Sequence, residues 1–280
     1  MKTIAVIGVG IMGHGIADNF IKNDYEVTVW NRSAKKADDL IKKGAKLAAS
    51  PVEAAKSADI VFEVTANDES ANKIWLGKDG VFNNSNKDQY LIACSTLSIK
   101  TIDNLAKSAN SRGLKFFDMP MTGGRDGAEA GQLTLLAGGK KSDIDTIRDD
   151  LKAVTKDVKY FGPAGSGMRY KLILNMLQAV HIAGFGEALK LAEAAGLDKN
   201  LVGDALSERP GGVITELAWR DYKIEPSPIN FSVEWIFKDL KYAKSMTDIK
   251  HPYLDEAIKQ YRLAIDKGFS QADWVKINKL

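Results

Sequence analysis

Apolar residues 3–7 form a run bounded by glycines, and apolar positions from Ile11 to Ile21 then recur at helical spacing. This reads as strand, tight turn, helix. The pattern repeats, predicting strands at 26–30, 59–64, 90–94, 115–119, 132–137 and 158–161 and helices at 34–43, 99–111 and 144–153. Such alternation predicts an α/β fold, a doubly wound parallel sheet with helices on both faces. Past Gly162 and Pro163 the pattern changes. Residues 166–195 read as one long helix, turn signals at 209–212 and at Pro226 and Pro228 separate further helices, and no strand is expected up to residue 280. The predicted organisation is an α/β domain over 1–162 and an all-helical domain over 163–280, joined by the long interdomain helix.

The 280 residues are 45% hydrophobic and 27% charged, enough apolar content to offset the ordering entropy of two folded domains. With 39 basic and 36 acidic residues the formal charge is +3, and no basic stripe concentrates it. Nucleic acid is thereby disfavoured as a partner, while the basic excess favours small anionic ligands. One cysteine and 3 histidines give no internal disulfide and no Cys-rich zinc site, so no metal is expected. Lys2 and the apolar run over 3–13 superficially resemble a secretory leader, but no small-residue cleavage site follows and the run passes through His14 and Asp18 as a helix. No stretch is expected to approach the ~18 or more apolar residues that span a bilayer. The expectation is a cytoplasmic protein with no membrane contact.

Gly8, Gly10 and Gly13, with Val9, Ile11 and Met12 between them, fit G-x-G-x-x-G. The pattern gains force from its place between a strand and a helix. There the first glycine permits the turn, the second lets a pyrophosphate approach the backbone, and the third lets helix and strand pack closely. This predicts a dinucleotide-binding Rossmann domain over 1–162. An NAD site usually carries Asp or Glu at the end of the second strand, where this chain has Asn31. A neutral side chain does not repel a 2′-phosphate, Arg32 offers bidentate charge-assisted hydrogen bonds, and Ser33 adds a hydroxyl. NADP(H) is the expected preference, with NAD(H) as the second cofactor such a site admits. Lys35 and Lys36 read first as a solvated helix face.

On the long helix, Lys171 and Asn175 stand i, i+4 on one face and Gln178 continues the row, amid Leu172, Ile173, Leu174, Met176 and Leu177. Such a lysine either snorkels to water or exchanges a proton. The glycine-rich stretch 162–167 just before it predicts a hinge, and ligand clefts tend to form between domains.

With these motifs in hand, the sequence resembles the β-hydroxyacid dehydrogenase family, which includes 3-hydroxyisobutyrate dehydrogenase, tartronate semialdehyde reductase and the glyoxylate/succinic semialdehyde reductases. The resemblance covers essentially the whole chain. It rests on the glycine turn with Met12, on Ser95 and Thr96, on the stretch from Asp118 to Gly124 with Gly127, Ala128 and Gly131, on Gly165, Gly167, Lys171 and Asn175, and on Lys238, Asp239 and Leu240. It implies that Lys171 is the general acid/base, that Asn175 holds the reacting substrate and Lys171, and that Thr122, Gly123 and Gly124 bind a substrate carboxylate. It places Gly8, Gly10, Ile11, Met12, Gly13, Asn31, Arg32, Ser33 and Thr96 at the cofactor, and has Phe231, Lys238 and Asp239 close the cleft from a helical substrate and oligomerisation domain. A homodimer or homotetramer is implied as well. The proton-shuttle role asks for partial burial, because a free lysine amine near pKa ~10.4 shuttles poorly at neutral pH.

The chain departs from the family at Thr122, commonly Ser, whose β-branch narrows the pocket toward small substrates. It departs again at Leu174, often Asn, and at Thr65, Ala66 and Asn67, where a proline-containing loop is usual. Arg125 is a candidate for recognising an acidic substrate, with a plain surface charge as the alternative. Cys94, His14, His181 and His251 carry no expected chemistry, and Trp219, Trp235 and Phe237 read as core or dimer contacts. Length, and the lack of a His before Asn175, argue against a 6-phosphogluconate dehydrogenase. The rival readings are an imine reductase of the same fold, a group that generally lacks Lys at position 171, and a catalytically silent dinucleotide-binding module.

Overall fold

The computed structural model describes residues 2–208, 213–246, 248, 250 and 252–280. The turn signal at 209–212 and His251 lie outside the described residues. β1 (Ile4–Ile7) leads into α1 (Ile11–Lys22), β2 (Val27–Trp30), α2 (Asp38–Lys42), β3 (Lys46–Leu47), α3 (Pro51–Lys56), β4 (Ile60–Glu63), α4 (Asp68–Leu76) and α5 (Val81–Asn84). β5 (Tyr90–Ala93), α6 (Ile99–Ser111), β6 (Lys115–Asp118), β7 (Met121–Thr122), α7 (Gly124–Glu129), β8 (Leu133–Gly138), α8 (Lys141–Leu151) and β9 (Thr155–Gly162) follow. Beyond them come α9 (Ser166–Ala194), α10 (Lys199–Ser207), α11 (Val213–Lys223), α12 (Val233–Lys244) and α13 (Pro252–Asp266).

The strands form one sheet in the order β3-β2-β1-β4-β5-β6-β8-β7, with β9 paired to β8. Every residue of β1, β4 and β5 is buried, as expected of parallel strands covered on both faces. Alternate residues feed two cores. Ile4 and Val6 join Ile16 and Phe20 on one face, while Ala5 and Ile7 join Trp75 and Phe82 on the other. The sheet is not wholly parallel, because β8 runs antiparallel to β6 and β7 and only then pairs parallel with β9. Strand direction leaves no trace in an apolar run.

Predicted helix 34–43 begins as a 3₁₀ turn over Ala34–Ala37 before α2. α3, α4 and α5 fall where no helix was expected, although Ser50 Oγ accepts from Glu53 N at the start of α3 and Asn67 Oδ1 from Ser70 N at the start of α4. α7 packs against α1 at a backbone distance that only glycine tolerates. A Cβ on Gly15 would stand 2.7 Å from the Ala128 carbonyl, and Asn19 Nδ2 donates 2.8 Å bonds to the carbonyls of both Gly15 and Ala128. This contact ties α7, which follows the 122–124 loop, to α1, which follows the glycine turn.

Two compact units are present, Met1–Lys171 and Leu172–Leu280. The first compact unit extends to Lys171 because the first turn of α9 is bonded to the sheet through Asp118. In the second unit, α10 packs on α11 with Gly203 against the Trp219 ring, and α12 packs on α13. Among the described residues no strand follows Gly162, only an isolated bridge between Ser232 and Asp273. Contrary to the expectation that no stretch approaches spanning length, α9 is long and apolar enough, by length and composition, to cross a membrane, its apolar positions being interrupted by polar ones. A helix that carries a protein core meets the same test, and Ala179, Ile182, Phe185 and Leu189 on α9 are buried.

Gly15→Ala is expected to force α1 and α7 apart and to lower unfolding stability by about 1–3 kcal/mol. Urea denaturation measures this, and an unchanged midpoint would show that the contact is loose.

Candidate active site

The glycine turn lies between β1 and α1 as the spacing predicts. Gly8 has φ +100°, and a Cβ there would stand 2.2 Å from the Val64 carbonyl oxygen. A Cβ on Gly13 would stand 1.9 Å from the Gly8 oxygen, so neither position admits a side chain. Gly10 differs. It is exposed, with nothing within 4 Å of its would-be Cβ, and no side chain caps α1. The turn thus presents open backbone at a helix N-terminus, which suits a pyrophosphate. Ile11 and Met12 open α1 half-buried, with Met12 packed on the core.

Asn31 follows β2 and is occupied in a way its position did not disclose. Its Oδ1 accepts from Val9 N at 3.1 Å and its Nδ2 donates to the Ser33 carbonyl at 2.9 Å, tying the glycine turn to the loop after β2. Arg32 and Ser33 are exposed, as are Lys35 and Lys36. Among the described residues, Arg32, Lys35 and Lys36 enter no ion pair. Arg32, Lys35 and Lys36 thus follow the end of β2 as exposed cations.

The loops after β4 and β5 are cross-linked. Ser98 N donates to Asp68 Oδ1 at 2.9 Å, and Leu97 N donates to Met168 Sδ at 3.2 Å, so the half-buried Thr96 sits in a segment held from both sides. Thr122 is half-buried in β7, and Gly123 and Gly124 have φ +125° and +62°. Gly123 has no side-chain cap over α7, leaving backbone available beside the Thr122 hydroxyl. Arg125 pairs with Glu129 at 2.7 Å on its own helix, which favours the surface-charge reading.

Asp118, given no role from sequence, ends β6 fully buried and seats the start of α9. Its carboxylate accepts from Gly165 N and from Met168 N, each at 2.6 Å. Gly167 lets the same turn approach the sheet, since a Cβ there would stand 1.9 Å from the Leu136 oxygen. Arg169 makes a two-pronged bond to Asp103, and the Tyr170 ring stacks on Phe161 at 4.0 Å. Lys171 follows directly and is half-buried. The glycine-rich stretch is thus less a free hinge than the seat of the turn that carries Lys171.

In the second unit Asn175 is buried, and its Nδ2 donates to Asp239 Oδ2 at 2.7 Å. Lys238 Nζ stands 3.1 Å from Asp239 Oδ1. Asp239 therefore orients Asn175, leaving the amide oxygen as the acceptor toward other groups. Phe231 belongs to an aromatic cluster with Trp235 and Trp274, and its carbonyl accepts from Trp274 N at 2.9 Å. Cys94 is buried, and burial and the Glu63 charge push its thiol well above the ordinary range. His14 faces Asp39 at 3.2 Å and His181 is exposed. Among the described residues no group of His, Cys, Asp and Glu is suited to a metal ion.

Residues 3–162 match the family model described as the NAD binding domain of 6-phosphogluconate dehydrogenase. Residues 165–280 match the one described as the NAD-binding domain of NADP-dependent 3-hydroxyisobutyrate dehydrogenase. An uncharacterised oxidoreductase of Shewanella frigidimarina is 31% identical over 100% of this chain and 95% of its own. Glyoxylate/succinic semialdehyde reductase 2 of Arabidopsis thaliana is 30% identical over 97% of this chain and 77% of its own. The structure of 3-hydroxyisobutyrate dehydrogenase from Mycobacterium tuberculosis superposes with TM-score 0.87 at 26% identity, covering 100% of this chain and 98% of that one.

Burial pushes the Asp118 carboxyl up from 3.8 to about 7, against the two backbone donors that pull it down. A carboxyl raised on folding binds more protons in the native state, so its contribution to stability is greatest in acid and is lost as pH rises from 3.8 to about 7. Asp118→Asn should flatten that decline in chemical denaturation across this range. The variant should also lower kcat, because an Asn amide presents N–H to one of the two backbone donors. Equal pH slopes in the two proteins would contradict the assignment.

Proposed function

The chain belongs to the β-hydroxyacid dehydrogenase family of NAD(P)-binding oxidoreductases, and on that footing we propose an NADP(H)-dependent enzyme with Lys171 as general acid/base. Its substrates are a small β-hydroxyacid and the corresponding semialdehyde or 2-oxoacid. What carries the reading is the seating of Lys171, one turn past the backbone amides that Asp118 holds, in the same unit as the open glycine turn.

When bound, a reduced nicotinamide would supply the hydride for the substrate carbonyl carbon. Negative charge then builds on the carbonyl oxygen, and Lys171 Nζ gives it a proton to complete the alcohol; in oxidation the amine takes that proton back. Asn175 Oδ1, freed by the commitment of Nδ2 to Asp239, accepts from the Lys171 ammonium or the substrate hydroxyl. The Thr122 hydroxyl and the backbone N–H groups at Gly123 and Gly124 hold the substrate carboxylate. A small anion suits the crowded β-branched threonine. Lys238, 3.1 Å from Asp239 Oδ1, balances the charge of the carboxylate that Asn175 donates to.

The exposed Arg32, in no ion pair among the described residues, with Lys35 and Lys36, supports a 2′-phosphate and hence the NADP(H) preference. Lysine at 171 separates this reading from an imine reductase of the same fold and from a silent dinucleotide-binding module. Ile173 and Leu177 on α9, 50% and 48% exposed, support self-association as a homodimer or homotetramer.

Lys171→Ala is expected to cut NADPH oxidation with glyoxylate, succinic semialdehyde or methylmalonate semialdehyde by about 10²–10⁴-fold while leaving NADPH binding intact. Wild-type turnover from the variant would overturn the role. Arg32→Ala should weaken NADPH by about tenfold or more and NADH little, read by fluorescence titration. Equal losses for both cofactors would remove the phosphate contact.

A further inference from the structure

Glu63 ends β4 with a fully buried carboxylate and, among the described residues, has no cationic partner. Its neighbours in register on β1 and β5 are the apolar Ile7 and Ala93. A strand end that needed only packing would be served by such a side chain, since burying an unpaired carboxylate costs several kcal/mol, roughly, before hydrogen bonds offset it. Here neutral donors from three segments supply that offset. Oε1 accepts from the Thr65 backbone N at 2.9 Å, from the Thr65 hydroxyl, and from Ser95 Oγ at 2.5 Å. Oε2 accepts from Trp75 Nε1 at 3.4 Å. Thr65 N also donates to Ser95 Oγ at 2.6 Å, so the loops after β4 and β5 are locked together through this one side chain.

The loop so held is the wall on which the glycine turn rests. The Val64 carbonyl oxygen and Thr65 Cγ2 stand 2.2 Å and 3.5 Å from a would-be Cβ on Gly8, and Val64 Cβ stands 3.4 Å from one on Gly13. Val64 N in turn donates to the Ile7 carbonyl at 2.8 Å. A displacement of Val64 or Thr65 therefore moves the backbone that would face the pyrophosphate. We propose that Glu63 is a positioning residue for the dinucleotide, fixing the 64–65 backbone and the Ser95 loop so that the glycine turn keeps its open form. This rests on the reading of the glycine turn as the cofactor seat, and it assigns a function to a carboxylate that the proton transfer does not use.

Glu63→Gln keeps the shape but turns an N–H₂ toward donors, so at least one of them loses its acceptor. Calorimetric titration of the full chain is expected to show NADPH and NADH weakened by the same factor, on the order of tenfold. At saturating cofactor, kcat should stay within about twofold, since the loop does not touch the reacting atoms. Should Glu63→Gln fail to fold, Ser95→Ala and Thr65→Val each remove one hydroxyl from the carboxylate and should weaken both cofactors, and Thr65→Ser should restore wild-type affinity. Unchanged affinity in these variants, with only the melting temperature lowered, would overturn the proposal and make Glu63 purely structural. Loss of affinity confined to NADPH would overturn it too, because the carboxylate would then act on the adenosine phosphate side. If the wild-type chain binds neither dinucleotide, the cofactor reading itself fails and this inference with it, whereas wild-type binding with indifferent variants removes this inference alone.

Discussion

One buried carboxylate decides where the chemistry of this protein can stand. Asp118, at the end of β6, takes the backbone amides of Gly165 and Met168 at 2.6 Å each and so holds the first turn of α9 against the sheet. A helix ordinarily finds its cap in the residue just before it, and the first N–H groups otherwise go to water. Here the cap reaches in from a strand end far earlier in the chain, so the axis of α9 is referred to the sheet and not to a flexible linker. The arrangement is not a large source of stability. Burial of the carboxylate works against the two charge-assisted bonds, as the rise of its pKa to about 7 shows. What it supplies is direction. Gly167 lets the turn come close, Arg169 and Tyr170 hold it laterally on Asp103 and Phe161, and Lys171 emerges at a set height.

The same logic governs the cofactor side. Gly8 and Gly13 are glycines because the Val64 and Gly8 carbonyls occupy the space of a side chain, whereas Gly10 faces open space where a ligand can approach. Asn31 bonds this turn at Val9 N, and Glu63 bonds the Thr65 backbone of the loop whose Val64 carbonyl lies against Gly8. In the second unit the pattern recurs on a smaller scale, since Asp239 takes the amide nitrogen of the buried Asn175 and leaves its oxygen as an acceptor. In both units a buried acid thus fixes a segment next to a proposed site residue, Asp118 the turn before Lys171 and Asp239 the amide of Asn175.

Much of this was legible wherever the signal is local. α6 spans 99–111 as its periodicity and the Ser98 cap dictate, and β1, β4 and β5 are the apolar runs the sequence displays. α3 and α4 were missed although Ser50 and Asn67 are ordinary caps, because helices this short have too few turns to show a period. β7 and α7 escaped for the same reason, and the antiparallel course of β8 escaped because pairing direction is not written in residue order. Spacing found Lys171, Asn175 and Asn31. It did not find Asp239 and Val9, which bond Asn175 and Asn31, or Asp118, which takes the amides of Gly165 and Met168 ahead of Lys171, since these meet across stretches of chain and a buried acid in a sequence looks like any other.

Chemical rescue of the Lys171→Ala variant tests the proton-transfer role most directly. If the lysine amine delivers the proton to the substrate oxygen, small primary amines such as methylamine and ethylamine should restore NADPH-dependent reduction in a saturable way, with cofactor affinity unchanged throughout. A variant that binds NADPH normally yet gains nothing from any amine, or that turns over at the wild-type rate with none added, would mean that the proton comes from elsewhere.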